Sequence, residues 1–148
     1  MTTVATPRGE TPWNAVLHQG RCRLEVTRPE RPQRPVAGTV PFLALYSPDD
    51  PDAVTLVFGR ASRARLRKVP RELLDLGRVE PVTGAGVDVM PVLNERVEVT
   101  IQHPDRPAEV LTFARGDVDT VLAVTEQLHQ DAIDLALTQL LAEYGGQS

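Results

Sequence analysis

The 148-residue chain has one cysteine, Cys22, so it can form no intrachain disulfide and offers neither a C-x-x-C redox pair nor a cysteine metal cluster. No long apolar run occurs. The longest nearly unbroken one, Val40-Pro41-Phe42-Leu43-Ala44-Leu45-Tyr46, is far short of the ~20 residues that span a bilayer. Met1 to Gly9 has no apolar segment of the kind a secretory leader carries. These absences predict a cytoplasmic protein without membrane insertion. Basic residues are missing from the C-terminal end: all 16 Lys and Arg lie at or before Arg115, and the stretch from Asp117 onward carries acids alone. The net charge of −4 argues against a general nucleic-acid binder, whose affinity comes largely from neutralising phosphates.

What is present is enough for one domain. With 41% apolar residues, a chain of this length buries roughly 70% of its unfolded surface. Residues 1–11 are polar, with Pro7 and Gly9, and are expected to be a flexible tail before one domain over 12–146. Asn14–Leu17 and Arg21–Arg28 are predicted as strands across a turn at Gln19-Gly20. In the second, Cys22, Leu24 and Val26 alternate with polar residues, the period of a half-buried strand. Pro29, Pro32 and Pro35 predict an extended linker.

Further strands are expected at Thr39–Tyr46, Ala53–Gly59, Ala64–Val69, Gly86–Pro91, Arg96–His103 and Glu109–Ala114. Pro70–Gly77 predicts a short helix, with proline in its first turn and glycine just past its end. Beyond Asp117, a candidate N-cap, Val118, Val121, Leu122 and Leu128 share a helical face. After Asp131, Ile133, Leu137, Leu140, Leu141 and Tyr144 do the same, and Gly145-Gly146 ends that second helix. Many short strands followed by two amphipathic helices give an α+β fold with an antiparallel sheet of about seven strands.

No catalytic constellation emerges. Ser47, Ser62 and Ser148 lie outside any G-x-S-x-G, and His18, His103 and His129 are widely separated, with no H-E-x-x-H. Thr83-Gly84-Ala85-Gly86 lacks the third glycine and following helix of a dinucleotide loop, so it reads as a plain loop. Asp49, Asp50 and Asp52 are interrupted by prolines and read as a turn rather than a calcium loop. The expectation is a non-enzyme with no cofactor and no metal.

The candidate binding residues are Arg60, Arg63, Arg65, Arg67, Lys68 and Arg71. On a strand, Arg63, Arg65 and Arg67 would share one face about 7 Å apart, a spacing able to follow a phosphate backbone. Three readings stay open. The stretch is a solvated face or pairs with the acidic C-terminal helices; it meets an acidic protein partner; or it binds single-stranded nucleic acid, though no aromatic lies within it to stack on bases. The apolar helix faces are similarly either core or a partner interface.

From Val40 onward the chain resembles the SsgA-like proteins that control sporulation-specific cell division in actinomycetes. Val40–Val54 is similar to that family's strand followed by Y-D-x-x-D-P-Y-A-V. Val69–Gly77 resembles F-A-R-D-L-L-x-x-G, Gly86–Pro91 resembles G-D-V-R-V-W-P, and Arg96–Ala114 carries a hairpin whose turn is His103-Pro104-Asp105-Arg106. Asp52 and Met90 stand where the family pattern has tyrosine and tryptophan, and Arg65, Arg67 and Lys68 replace a more hydrophobic strand. The resemblance implies a β-barrel-like, whirly-like domain assembled as a homotrimer. It also implies a non-enzymatic adaptor at the division septum that recruits the tubulin-like protein FtsZ together with an SsgA-like paralogue.

Overall fold

The computed structural model describes residues 15–28 and 31–145. The expected 1–11 tail, Pro29 and Gly146 lie outside these residues. Among the described residues, eight strands form one antiparallel sheet: β1 (Ala15–Arg28), β2 (Arg31–Tyr46), β3 (Ala53–Phe58), β4 (Arg65–Pro70), β5 (Val82–Gly84), β6 (Val87–Val92), β7 (Arg96–Ile101) and β8 (Glu109–Ala114). Helix α1 (Arg71–Gly77) lies between β4 and β5, and α2 (Arg115–Gly145) follows β8.

The spatial order β4-β3-β2-β1-β8-β7-β6-β5 makes the sheet two four-stranded meanders joined by β1 and β8. That joint pairs only Arg23–Val26 with Thr112–Glu109. The sheet curls into a half-barrel. In a flat sheet β4 and β8, four strand spacings apart, would be separated by ~19 Å, yet Arg67 of β4 donates to Glu109 of β8 at 2.8 Å. Helix α1 joins the far edges of the two meanders and packs against β3, β4, β5 and β6.

Alternation explains which side chains fill the concave face. Val54, Leu56 and Phe58 of β3, Val87 and Val89 of β6, Val97, Val99 and Ile101 of β7, and Leu111 and Phe113 of β8 are all buried two residues apart. Phe42 and Phe113 meet edge to face with centroids 5.0 Å apart, a contact worth about 1 kcal/mol beyond its burial. The first half of α2 covers this core with Val118, Val121, Leu122 and Thr125.

Several boundaries differ from expectation. The turn at Gln19-Gly20 does not form: β1 is continuous, with a bulge between Val16 and His18 absorbing the irregular pattern. The proline-rich linker is part of β2; Pro32 and Pro35 fall where the β1–β2 register shifts between Val26 and Arg28, so no regular ladder bond is forfeited. The plain loop at 83–86 is a hairpin turn between β5 and β6, with Ala85 (φ 51°) and Gly86 (φ 75°) both left-handed, the signature of a type I′ turn. This adds the eighth strand.

The two C-terminal helices are one. Nothing between Asp117 and Tyr144 breaks a helix, and Asp131 is held inside it by Gln127, which donates across one turn at 2.9 Å. Gly77 ends α1 from inside the helix rather than beyond it. A Cβ there would overlap the side chain of buried Val89, so the glycine lets α1 lie directly on β6.

Candidate functional site: the arginine segment and the mouth of the half-barrel

The segment carrying the predicted binding residues is divided by structure into three environments. Arg60 and Arg63 belong to the connection after β3, where Ala61–Arg63 forms a 3-10 turn, and both are exposed. Gly59 (φ 107°) opens this connection in a conformation suited to glycine. The expected row Arg63-Arg65-Arg67 therefore does not exist, because the strand begins only at Arg65.

Arg65 and Arg67 point inward. Their β3 partners are Phe58 and Leu56, both buried, and Val69 on the same face of β4 is fully buried. The two guanidiniums reach across the concave mouth to Glu109, the first residue of β8, whose side chain is 3% exposed. Arg65 Nη1 donates to Oε2 at 2.5 Å, Arg67 Nε to Oε1 at 2.8 Å and Arg67 Nη2 to Oε2 at 3.2 Å. His103 Nε2 adds a fourth contact, 2.9 Å from Oε1. Burial by itself would raise the Glu109 carboxyl, but hydrogen bonds from Arg67, His103 and Arg65 outweigh it and hold the group below the ordinary carboxylate range. The cluster closes the polar end of the core by gathering two guanidiniums and an imidazole around one carboxylate.

The remaining cations pair elsewhere. Lys68 points outward to Asp50, 3.2 Å away, beside the turns at 47–53 in which Asp50 N–H donates to Ser47 and Ala53 N–H to Asp50. Arg71, at the start of α1, binds Glu126 of α2, and its Nε is buried without a partner. Arg78 binds Asp119 at 2.8 Å and also Asp75. The Asp119 bond is the main influence holding its guanidinium charged. Residues 71 and 78 thus meet 126 and 119 across antiparallel segments, so of the predicted basic set Arg71 alone pairs with the acidic helix, while Arg65, Arg67 and Lys68 pair with acids elsewhere in the chain. Among the described residues, Arg60 and Arg63 are the members of the predicted set that form no ion pair.

Glu109 was not singled out by sequence. The signal was available: it occupies the inward phase of Glu109-Leu111-Phe113, where an ionised side chain needs buried partners. His18 likewise has a partner. Its Nε2 donates to Asp117 Oδ1 at 2.8 Å while its ring sits tilted beside Phe42, centroids 6.0 Å apart. Cys22 is buried nearby; desolvation first, and Asp117 second, push its thiol up to about 12. Among the described residues no group of three or more His, Cys, Asp or Glu is placed to hold a metal ion, and no helix is long and apolar enough to cross a membrane.

Two exterior features remain. The second half of α2 faces solvent: every residue from Gln130 to Tyr144 is exposed, including Leu137, Leu140, Leu141 and Tyr144. Beyond the Glu109 cluster, the mouth of the half-barrel opens into a groove of about 430 Å³ between β2 and the Arg60–Arg65 connection.

These features define an α+β domain built on a curled antiparallel sheet, with an ion-paired mouth and an uncovered helix. Residues 40–131, more than half of the chain, match the family described as Streptomyces sporulation and cell division protein, SsgA. The chain belongs to this family of sporulation and cell-division proteins. Two solved structures share its fold. One is SsgB of Streptomyces coelicolor, with 22% identity and a TM-score of 0.59, covering 78% of this chain and 89% of that one. The other is the SsgA-like sporulation-specific cell division protein of Thermobifida fusca, with 20% identity and a TM-score of 0.60, covering 91% of this chain and 98% of that one. No curated protein matches the chain.

Proposed function

We propose that this chain is a non-enzymatic adaptor that helps position the division septum during sporulation, acting through protein–protein contacts. In this reading residues 12–146 work as one SsgA-like domain in the cytoplasm at the septum. The domain assembles as a homo-oligomer, a trimer by the family resemblance, and recruits FtsZ in concert with an SsgA-like paralogue. Membership of the sporulation and cell-division family carries the proposal. The exposed apolar half of α2 supports it, because Leu137, Leu140 and Leu141 gain nothing by facing water and would be stabilised by a partner or a second copy.

The nucleic-acid alternative is weakened by the ion pairs. Arg65, Arg67, Lys68 and Arg71 engage three carboxylates within the chain, Glu109, Asp50 and Glu126, which reduces the positive charge available for phosphate neutralisation. Purified FtsZ and an SsgA-like paralogue, each titrated against the immobilised chain, test the adaptor reading. Saturable micromolar binding to at least one is expected. Absence of binding to both at that concentration would refute it.

A further inference from the structure

The β2 strand runs well beyond its neighbour. β3 pairs with Phe42–Leu45 only, whereas β1 follows the other edge of β2 in regular register as far as Val36 and pairs again at Arg31. The Pro41 carbonyl accepts from the Gly59 N–H at 3.1 Å, which shows that residue 41 directs its backbone toward the β3 side. Strand groups alternate with a period of two, so Thr39 and Ala37 direct N–H and C=O the same way. Among the described residues, no strand lies beside them there.

This open edge is unlike a defended one. Sheet edges are usually blunted by charges, prolines or bulges, but Val36-Ala37-Gly38-Thr39-Val40 carries no charge. Prolines bracket it at 35 and 41, which limits any added strand to a short segment. The adjoining groove is lined by apolar residues including Leu24, Val40 and Phe58 and by Arg60, Arg63 and Arg65, with no acid among the described residues that line it. Gly38 opens into it, since a Cβ added there meets no atom within 4 Å.

We propose that this edge and groove bind a short, extended, acidic peptide segment of a partner protein by strand addition. Main-chain bonds to Ala37 and Thr39 would fix the register, the space above Gly38 would take an apolar side chain, and Arg60 and Arg63 would pair with carboxylates. Charge selects the occupant. A second copy of β2 would present its uncharged Val36–Val40 run and no carboxylate to Arg60 and Arg63, whereas an acidic segment complements the basic groove. The proposal deepens the reading that the chain works through protein contacts, but it does not depend on FtsZ being the partner.

The test is a selection of random 12-residue phage-displayed peptides on the full chain, followed by fluorescence anisotropy of the enriched peptides. Enrichment of acidic peptides with alternating apolar residues is expected. Their binding should weaken about tenfold or more with Gly38→Phe, with the pair Arg60→Glu and Arg63→Glu, and with N-methylation of alternate peptide amides. Gly38→Phe projects into open space, so circular dichroism should show it folded. No enrichment, or enriched peptides indifferent to all three changes, would overturn the proposal. So would oligothymidylate binding lost with the arginine pair when no peptide is selected. Peptides captured while FtsZ and the paralogue fail to bind would uphold the groove and sink the recruitment reading; the converse would do the reverse.

Discussion

Replacing Glu109 by glutamine is the perturbation to which the half-barrel should be most sensitive. The carboxylate is buried and takes four polar contacts from Arg65, Arg67 and His103. Removing one partner of a buried charge cluster costs about 3–5 kcal/mol, because the remaining charges stay desolvated. Here the loss is reduced. Arg65 and Arg67 are 42% and 20% exposed and can turn partly to water, and the glutamine oxygen still accepts one bond. About 2–3 kcal/mol remains, against a total stability of ~5–15 kcal/mol for a domain. Exposed ion pairs such as Lys68–Asp50 are worth about 0–1 kcal/mol.

Urea denaturation followed by circular dichroism would read the difference as a lower midpoint, and melting should fall by several degrees. Because the Glu109 carboxyl is held below its ordinary value of 4.5, its contribution is complete above that value. It is lost as pH falls below 4.5 and through the folded value. The Glu109→Gln variant should therefore lose less stability than the parent over that acid range. A variant within 0.5 kcal/mol of the parent at pH 7, a margin typical of surface substitutions, would refute the claim that this cluster holds β4 over β8.

Other outcomes follow from the same geometry. Gly77→Ala should cost about 1–3 kcal/mol by urea titration, since its methyl group must displace fully buried Val89. Cys22, with its thiol raised to about 12, should stay unmodified by a thiol reagent at pH 8 until the fold is denatured. The pair Leu137→Glu and Leu141→Glu should leave monomer stability within ~0.5 kcal/mol. It should also shift any oligomer toward smaller species in light scattering, because both residues face solvent within one chain.

Much of this fold was readable because alternation is a local signal. β3, β4, β6, β7 and β8 lie within about two residues of their predicted spans, the ordinary uncertainty of element ends. The failures occur where tertiary contact overrides a local rule. Gly20 suggests a turn, but it lies in continuous β1, where an added Cβ would press on the Phe42 ring. Gly77 resembles a helix stop, but its function is close approach to β6. The arginines of β4 leave open a solvated or internally paired face, an acidic partner and nucleic acid, because a basic run does not by itself show which way its side chains turn. Only the curl that carries β4 over Glu109 turns Arg65 and Arg67 inward, and no local pattern encodes curl. The break expected at Asp131 rested on phase alone; a helix whose second half is uncovered keeps no single buried face to read.

The central claim is that the exterior of this half-barrel, through its groove and its uncovered helix, does the protein's work. Binding of the chain to FtsZ and to an SsgA-like paralogue, measured by interferometry for the parent and two surface variants, tests it most directly. The pair Arg60→Glu and Arg63→Glu, and the pair Leu137→Glu and Leu141→Glu, should melt like the parent, and at least one should abolish binding. Binding equal to the parent in both folded variants would contradict the account.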